Sequence, residues 1–339
     1  MNIEIITTPN NALKETGFGS LTACQSVCDA ISKLGHDVIV NVCETLHDLD
    51  LIVQRKPDLV VLAVKYISIE NGSNIWLSEY LSTHDINFTG SSREVLKFDS
   101  DKVLAKIHLR SKGMKTANYF TAIPGQYRSE ANLPIAFPLF LKPLDAANGN
   151  GIDDLSLVTN FEEFESKTLA LYDAFQQPVL AEEYLEGREY SVAVIKSADG
   201  KLLVAPVEII PPESSNGMRI LGEQAKRDDS EQIMRIADQH VIIKVKQLAI
   251  EAFLGLGIRD FGRIDIKTNK RGDCYFMEAN LVPGMTAGSS YFPQACNIEQ
   301  ALSYREVIQR IIEAGISRVP MDMPLAIPEL IDADAITAI

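Results

Sequence analysis

From Ile3 to about Leu96, short β-branched runs alternate with stretches whose apolar residues recur at helical spacing. Ile3 to Thr7, Asp37 to Val42 and Leu59 to Val64 predict strands bounded by turns, with helices between them. One helix is predicted from Ser20 to Leu34, stopped by Gly35; another is opened by Asn71-Gly72-Ser73 and runs to Thr83. Such βαβαβ alternation predicts a parallel sheet covered on both faces by helices, with right-handed crossovers.

The pattern then changes. Residues 98–180 predict a helix from Asp99 to Lys112, a strand around Tyr119, a strand from Ala136 to Leu141 and a helix from Phe161 to Phe175. Beyond them come strands at Val179 to Glu183, Glu189 to Lys196 and Leu202 to Ile210, and a long loop from Pro211 to Asp229. A helix from Ser230 to Leu256 and a final strand pair follow. Strands and helices interleave less regularly here, so the fold class is α/β at the N-terminus and α+β in the C-terminal part. The expected units are 1–97, 98–180 and 181–317, without internal repeats.

Composition narrows the function. The 339 residues are 46% hydrophobic, enough for a large core, yet the longest apolar runs fall short of the ~18 residues of a membrane span. A net charge of -14 without a Lys/Arg cluster argues against nucleic acid and membrane surfaces and leaves small molecules as the expected partners. Met1 leads into Asn2-Ile3-Glu4-Ile5-Ile6 with no basic and apolar leader, so a cytoplasmic location is expected. The five cysteines, scattered and without CxxC pairs, read as buried thiols, and none of the five dispersed histidines receives a role. Gly17-Phe18-Gly19 lacks the third glycine of a dinucleotide fingerprint and reads as a structural turn; no GxxxxGK[ST] occurs.

The chemistry concentrates in three places. Arg263 and Asp265 share one strand face, Glu278 and Asn280 share another, and the turn Asn269-Lys270-Arg271-Gly272 would fold the two strands into a hairpin that brings these groups together. Two carboxylates and an amide are hard oxygen donors that suit Mg²⁺ beside phosphates; a solvated hairpin with an ordinary salt bridge is the alternative. Lys142 ends an apolar strand and precedes Ala146-Ala147-Asn148-Gly149-Asn150-Gly151, which suits either a phosphate clamp or a lysine opening a flexible loop. Glu182 to Tyr190 surrounds a tight glycine turn with acids that could meet ribose hydroxyls or an adenine amino group, or form a plain charged loop.

Taken together, Lys142-Pro143, Glu182 to Tyr190, Gly262-Arg263-Ile264-Asp265 and Glu278-Ala279-Asn280-Leu281-Val282-Pro283-Gly284-Met285-Thr286 with Ser289 resemble the ATP-grasp superfamily, most of all its D-alanine–D-alanine ligase branch. The resemblance runs to about residue 317 and implies a Rossmann-like N-terminal unit followed by two subdomains that clasp ATP. It implies that Asp265, Glu278 and Asn280 ligate two Mg²⁺ ions, with Mn²⁺ able to substitute. Lys102, Lys142, Asn148, Gly149 and Lys226 would contact the ATP phosphates, Glu182 and Leu185 the adenine, and Glu189 the ribose. Arg263 and the Gly284 N–H would stabilise an oxyanion, Ser289 would hold the second substrate's carboxylate, and Glu15 the first substrate's ammonium.

The implied activity is ATP-dependent ligation of two amino acids through an acyl phosphate, with D-alanyl-D-alanine for peptidoglycan as the expected product, by a homodimer. Other amino-acid or hydroxy-acid pairs, and a non-catalytic nucleotide-binding protein, are the alternatives. Three features depart from the family: Asn148-Gly149 replaces a serine pair, Lys226-Arg227 replaces Lys-Tyr, and the surroundings of Glu15 match poorly. The loop from Pro211 to Asp229 is the expected lid. Residues 318–339 lie past the family's usual end, and the apolar, proline-punctuated run from Met321 to Pro328 is expected to dock on its own chain or a neighbour.

Overall fold

Ile3, Ile5 and Ile6 are almost wholly buried because their strand β1 (Asn2–Thr7) runs between β2 (Asp37–Val42) and β3 (Leu59–Leu62), parallel to both. In this computed structural model the described residues are 1–9, 17–18, 20–69, 73–144, 149–213 and 219–317. Glu15, Asn148, the centre of the expected lid and residues 318–339 therefore lie outside the described residues.

Helix α1 (Leu21–Lys33) starts where the Ser20 hydroxyl accepts the Ala23 N–H, and its buried stripe of Ala23, Cys24, Val27, Ala30 and Ile31 covers the sheet. A Thr45/Asp48 capping box opens α2 (Leu46–Arg55). The next helix expected, from Asn71 to Thr83, is shorter. Asn74–Trp76 is a strand, β5, pairing with β4 (Tyr66–Ser68), and among the described residues of that range the helix is α3 (Leu77–Thr83). Ile75 and Trp76 gain a cross-strand partner there, which a helix could not offer them.

The helix expected from Asp99 to Lys112 is two helices, α4 (Arg93–Ser100) and α5 (Lys102–Ser111). Asp101 separates them because its extended backbone lets its carboxylate cap the Leu104 N–H. The expected unit boundaries after residues 97 and 180 fall inside α4 and inside a strand, respectively.

A second, antiparallel sheet has the order β6-β9-β7-β8, from β6 (Tyr119–Ala122), β7 (Leu139–Pro143), β8 (Leu157–Val158) and β9 (Val179–Glu183). Helix α6 (Phe161–Phe175) packs Phe164 and Leu171 into its apolar cluster. Strand β7 begins three residues later than expected and continues through Lys142 to Pro143, because β9 offers partners that far. Lys142 thus lies within the sheet, two residues diagonal to Glu182, not past a strand end.

The third sheet has the order β12-β11-β10-β13-β14: β10 (Glu189–Lys196), β11 (Leu202–Ile210), β12 (Gln232–Arg235), β13 (Phe261–Thr268) and β14 (Cys274–Asn280). The helix expected from Ser230 begins only at Gln239. Gln232–Arg235 instead pairs with the end of β11 as an edge strand, and Asp238 caps α8 (Gln239–Gly255) through the His240 N–H. The expected loop 211–229 contains α7 (Glu223–Arg227). Two helices not anticipated, α9 (Tyr291–Gln300) and α10 (Tyr304–Ile316), lie against this sheet and against α1.

One apolar cluster joins β1 and α1 to the third sheet through α10, so the core is continuous from N-terminal to C-terminal elements. Cys24, Cys43 and Cys296 are buried as expected, whereas Cys28 and Cys274 are half-buried. Among the described residues no helix is long and apolar enough to cross a membrane.

Candidate active site

The hairpin forms as its turn residues require. Gly272 adopts φ 78°, its N–H bonds the Asn269 carbonyl, and the antiparallel register then sets Arg263 opposite Asn280 and Asp265 opposite Glu278. All four groups share one sheet face, which is tighter than the two converging faces expected. A bulge between Asp265 and Ile266 skips Met277 in the pairing, so that Met277 and Glu278, though consecutive, both line the same cleft.

Asp265 is the hub of the face. Its Oδ1 accepts from Arg263 Nε at 3.0 Å and from Ser191 Oγ at 2.7 Å, and its Oδ2 from Arg263 Nη2 at 2.9 Å and Asn280 Nδ2 at 3.0 Å. Arg263 also stacks over the Tyr291 ring, 5.4 Å from its centroid. Burial alone would raise the Glu278 carboxyl, but the positive charges of Lys102, Lys142, Lys226 and Arg263 pull it down to about 2.

All three lysines come from outside this sheet, Lys226 from α7. Lys102 opens α5 and Lys142 lies on β7, and both line the cleft together with Gly149 and Lys226. Behind Lys142 sits Glu182, 1% exposed, whose Oε2 is 2.6 Å from Lys142 Nζ and whose Oε1 is 2.7 Å from Lys106 Nζ. Burial works against its charge, yet the two ammonium groups hold the Glu182 carboxyl down at about 2. The same burial lowers Lys106, while Glu182 keeps Lys142 above the usual lysine range against its own desolvation.

Between β9 and β10 the chain turns tightly at Gly187, where a Cβ would come within 2.3 Å of Thr268 Oγ1 and 2.5 Å of the Thr268 carbonyl oxygen. This close approach delivers Leu185, buried, and Glu189, ion-paired with Lys267 at 3.2 Å, to the cleft wall. Residues between Gly149 and Ile152 and between Arg219 and Lys226 also line the cleft. Gly149, at φ 73°, lies so near Gly222 that a Cβ would meet the Gly222 carbonyl carbon at 3.2 Å. The cleft space, about 1050 Å³, includes open solvent, so the cleft is only partly enclosed.

Two further expected groups, Gly284 and Ser289, are not among the residues that line the cleft. Gly284 follows β14, with Ser290 Oγ placed 2.8 Å from where its Cβ would be. Ser289 donates from its hydroxyl to Asp229 Oδ2 at 2.9 Å, and Tyr291 donates to Glu231. Motif reading missed four contributors. Ser191 and Lys106 each carry a spacing signal: Ser191 is two residues along the strand from Glu189, and Lys106 is one helical turn from Lys102. Tyr291 and Asp99 carry none, because their partners come from distant segments. Asp99 bonds Lys65 Nζ at 2.8 Å with one oxygen and accepts the Leu281 N–H at 2.5 Å with the other.

Among the described residues no three His, Cys, Asp or Glu side chains form a metal cage. Asp265 and Glu278 face each other across the hairpin with Asn280 beside them, an all-oxygen set short of a full shell. That fits a magnesium ion whose remaining ligands are substrate phosphates and water.

The D-ala D-ala ligase C-terminus family matches residues 109–313. The D-alanine–D-alanine ligase of Aquifex aeolicus is 29% identical over 303 residues, covering 86% of this chain and 94% of that protein. That of Oceanobacillus iheyensis is 30% identical over 270 residues, covering 76% and 68%. The crystal structure of the Bacillus anthracis D-alanine–D-alanine ligase complexed with ATP superimposes with a TM-score of 0.71 at 19% identity, covering 93% of this chain and 97% of that one, and shares the fold. The family match across more than half the chain, with the hairpin that carries Asp265 and Glu278 inside it, establishes that this chain belongs to the D-alanine–D-alanine ligase family of ATP-grasp enzymes.

Proposed function

We propose that the protein is an ATP-dependent carboxylate–amine ligase that joins two D-alanine molecules, with Mg²⁺, as a homodimer serving peptidoglycan synthesis. The observation that carries this reading is the opposition of Asp265 and Glu278 across the hairpin beneath Lys102, Lys142 and Lys226. A carboxylate is a poor electrophile. Its oxygen first attacks the γ-phosphate of ATP, releasing ADP and giving an acyl phosphate; the amine of the second amino acid then attacks that carbonyl, and phosphate leaves.

Asp265, Glu278 and Asn280 would hold Mg²⁺, which when bound supplies positive charge to the β- and γ-phosphates. Lys102 and Lys142 neutralise charge on the transferring group, and Leu185 packs on the adenine. Arg263 and the Gly284 N–H stabilise the oxyanion of the second step. Arg263 is held for that task by two bonds to Asp265 and by the face of Tyr291. The lid keeps water from the acyl phosphate.

A second reading, ligation of a different pair, is favoured by Ser289. The hydroxyl expected to hold a carboxylate donates to Asp229, and that of Tyr291, which lines the cleft, donates to Glu231, so an acid already engages each of these hydroxyls. The test is ADP release by purified protein with ATP and Mg²⁺ across D- and L-amino acids, singly and in pairs, with products identified by mass. D-alanyl-D-alanine from D-alanine alone is the expected outcome; turnover only with another pair would replace it by the second reading. Asp265→Asn and Glu278→Gln are each expected to abolish ADP release while circular dichroism stays native, and wild-type turnover in either would remove the metal assignment.

A further inference from the structure

Lys106 is the most deeply buried charge among the described residues, 0% exposed, and it does not line the cleft. It lies on α5 one turn beyond Lys102, so both lysines lean from one helix face toward the nucleotide end of the cleft. Its ammonium makes an ion pair with Glu182 Oε1 at 2.7 Å, and the other oxygen of the same carboxylate, Oε2, lies 2.6 Å from Lys142 Nζ. The three groups form a Lys106–Glu182–Lys142 chain running from the interior to the cleft wall, with 0%, 1% and 5% of each residue exposed.

An isolated Glu182–Lys142 pair in this interior would be self-contained. Each charge would satisfy the other, leaving no surplus positive charge for a ligand. A third charge changes the balance. Two ammonium groups share one carboxylate, and the surplus positive charge is presented at the cleft, which Lys142 lines together with Glu182 while Lys106 stays behind them. We propose that Lys106 is a positioning residue for the nucleotide: it occupies one oxygen of Glu182 so that Lys142 stays available to an ATP phosphate. This rests on the ATP reading above and adds to it a residue that touches no substrate.

The test compares Lys106→Met, which keeps length without charge, with the wild type and with Glu182→Gln. The readings are ATP affinity by calorimetry, KM for ATP, kcat and Tm. Wild-type protein is measured first: if it neither binds ATP nor releases ADP, the functional reading itself fails. With wild-type binding present, Lys106→Met is expected to raise Kd and KM for ATP about tenfold, the effect of losing about 1.4 kcal/mol of binding, with kcat changed less than about threefold. In a Glu182→Gln background, where there is no carboxylate to share, the same substitution is expected to add little. A merely structural lysine would lower Tm and leave KM for ATP unchanged, and that result overturns the proposal, as does full additivity with Glu182→Gln. Should Lys106→Met fail to fold, Lys106→Gln retains a hydrogen-bond donor, and unchanged KM for ATP in that folded variant overturns the proposal equally.

Discussion

Glu182 is buried and Glu278 half-buried, both carboxylates are held ionised by the cations around them, and their stability effects follow from that. Both carboxyls sit at about 2 in the folded protein, below the ordinary value of about 4.3 for a glutamate in an open chain. A depressed folded pKa contributes stability that is fully present above the unfolded value and is lost as pH falls toward the folded one. Acid destabilisation is therefore expected to be steep between about pH 4.3 and 2, and Glu182→Gln should flatten that part of a urea-denaturation series. Glu182→Ala leaves Lys106 and Lys142 without their shared partner and is expected to destabilise the fold by about 3–5 kcal/mol; a loss under about 1 kcal/mol would mean that water or another group replaces the carboxylate. At this scale the sequence was informative where chemistry and spacing coincide. Asp265, Glu278 and Asn280 were legible because strand periodicity fixes which of them share a face. Asp99 was not, because the Leu281 N–H that it accepts is contributed by a segment far along the chain.

Elements that are long and flanked by clear stop signals were legible: β1, β2, α1, α6, β10 and β11 occur within a residue or two of the pattern's prediction. Those that depart do so where a short segment takes its state from a neighbour. Gln232–Arg235 is a strand because β11 has an open edge, and Asn74–Trp76 because β4 lies beside it. The packing of α7 follows the same logic. Gly222 starts α7, and a Cβ there would come within 2.6 Å of the Ile152 carbonyl oxygen, a backbone atom that cannot yield. Gly222→Ala is thus expected to lift α7 off the small-residue loop with little change in Tm, admitting water to the acyl phosphate. The ratio of ADP released to dipeptide formed should rise above one in this variant; a ratio equal to the wild type would mean that the lid closes without this contact.

Across the whole molecule the cleft depends on contacts between segments remote in sequence. Asp260 accepts the Gly90 N–H at 2.7 Å, Asn87 donates to the Gly315 carbonyl at 2.8 Å, and Asp99 ties Lys65 to the backbone just after β14. Asp99→Ala leaves the Leu281 and Val282 N–H groups without that acceptor and should destabilise the protein by about 1–3 kcal/mol. Because this backbone leads to Gly284, kcat should fall more than KM for ATP rises; an effect on KM for ATP alone would show that Asp99 serves the nucleotide and not the segment at Gly284. The sequence by itself determined the parallel N-terminal alternation, the hairpin and its oxygen donors, since these follow from periodicities of two and 3.6 residues and from a turn that only certain residues can make. The tertiary structure decided the rest: which lysine lies behind which carboxylate, where short segments become strands, and how residues 65, 99 and 281 meet. A buried charge is tolerated only where opposite charge arrives from elsewhere in the fold, and no local pattern records that arrival.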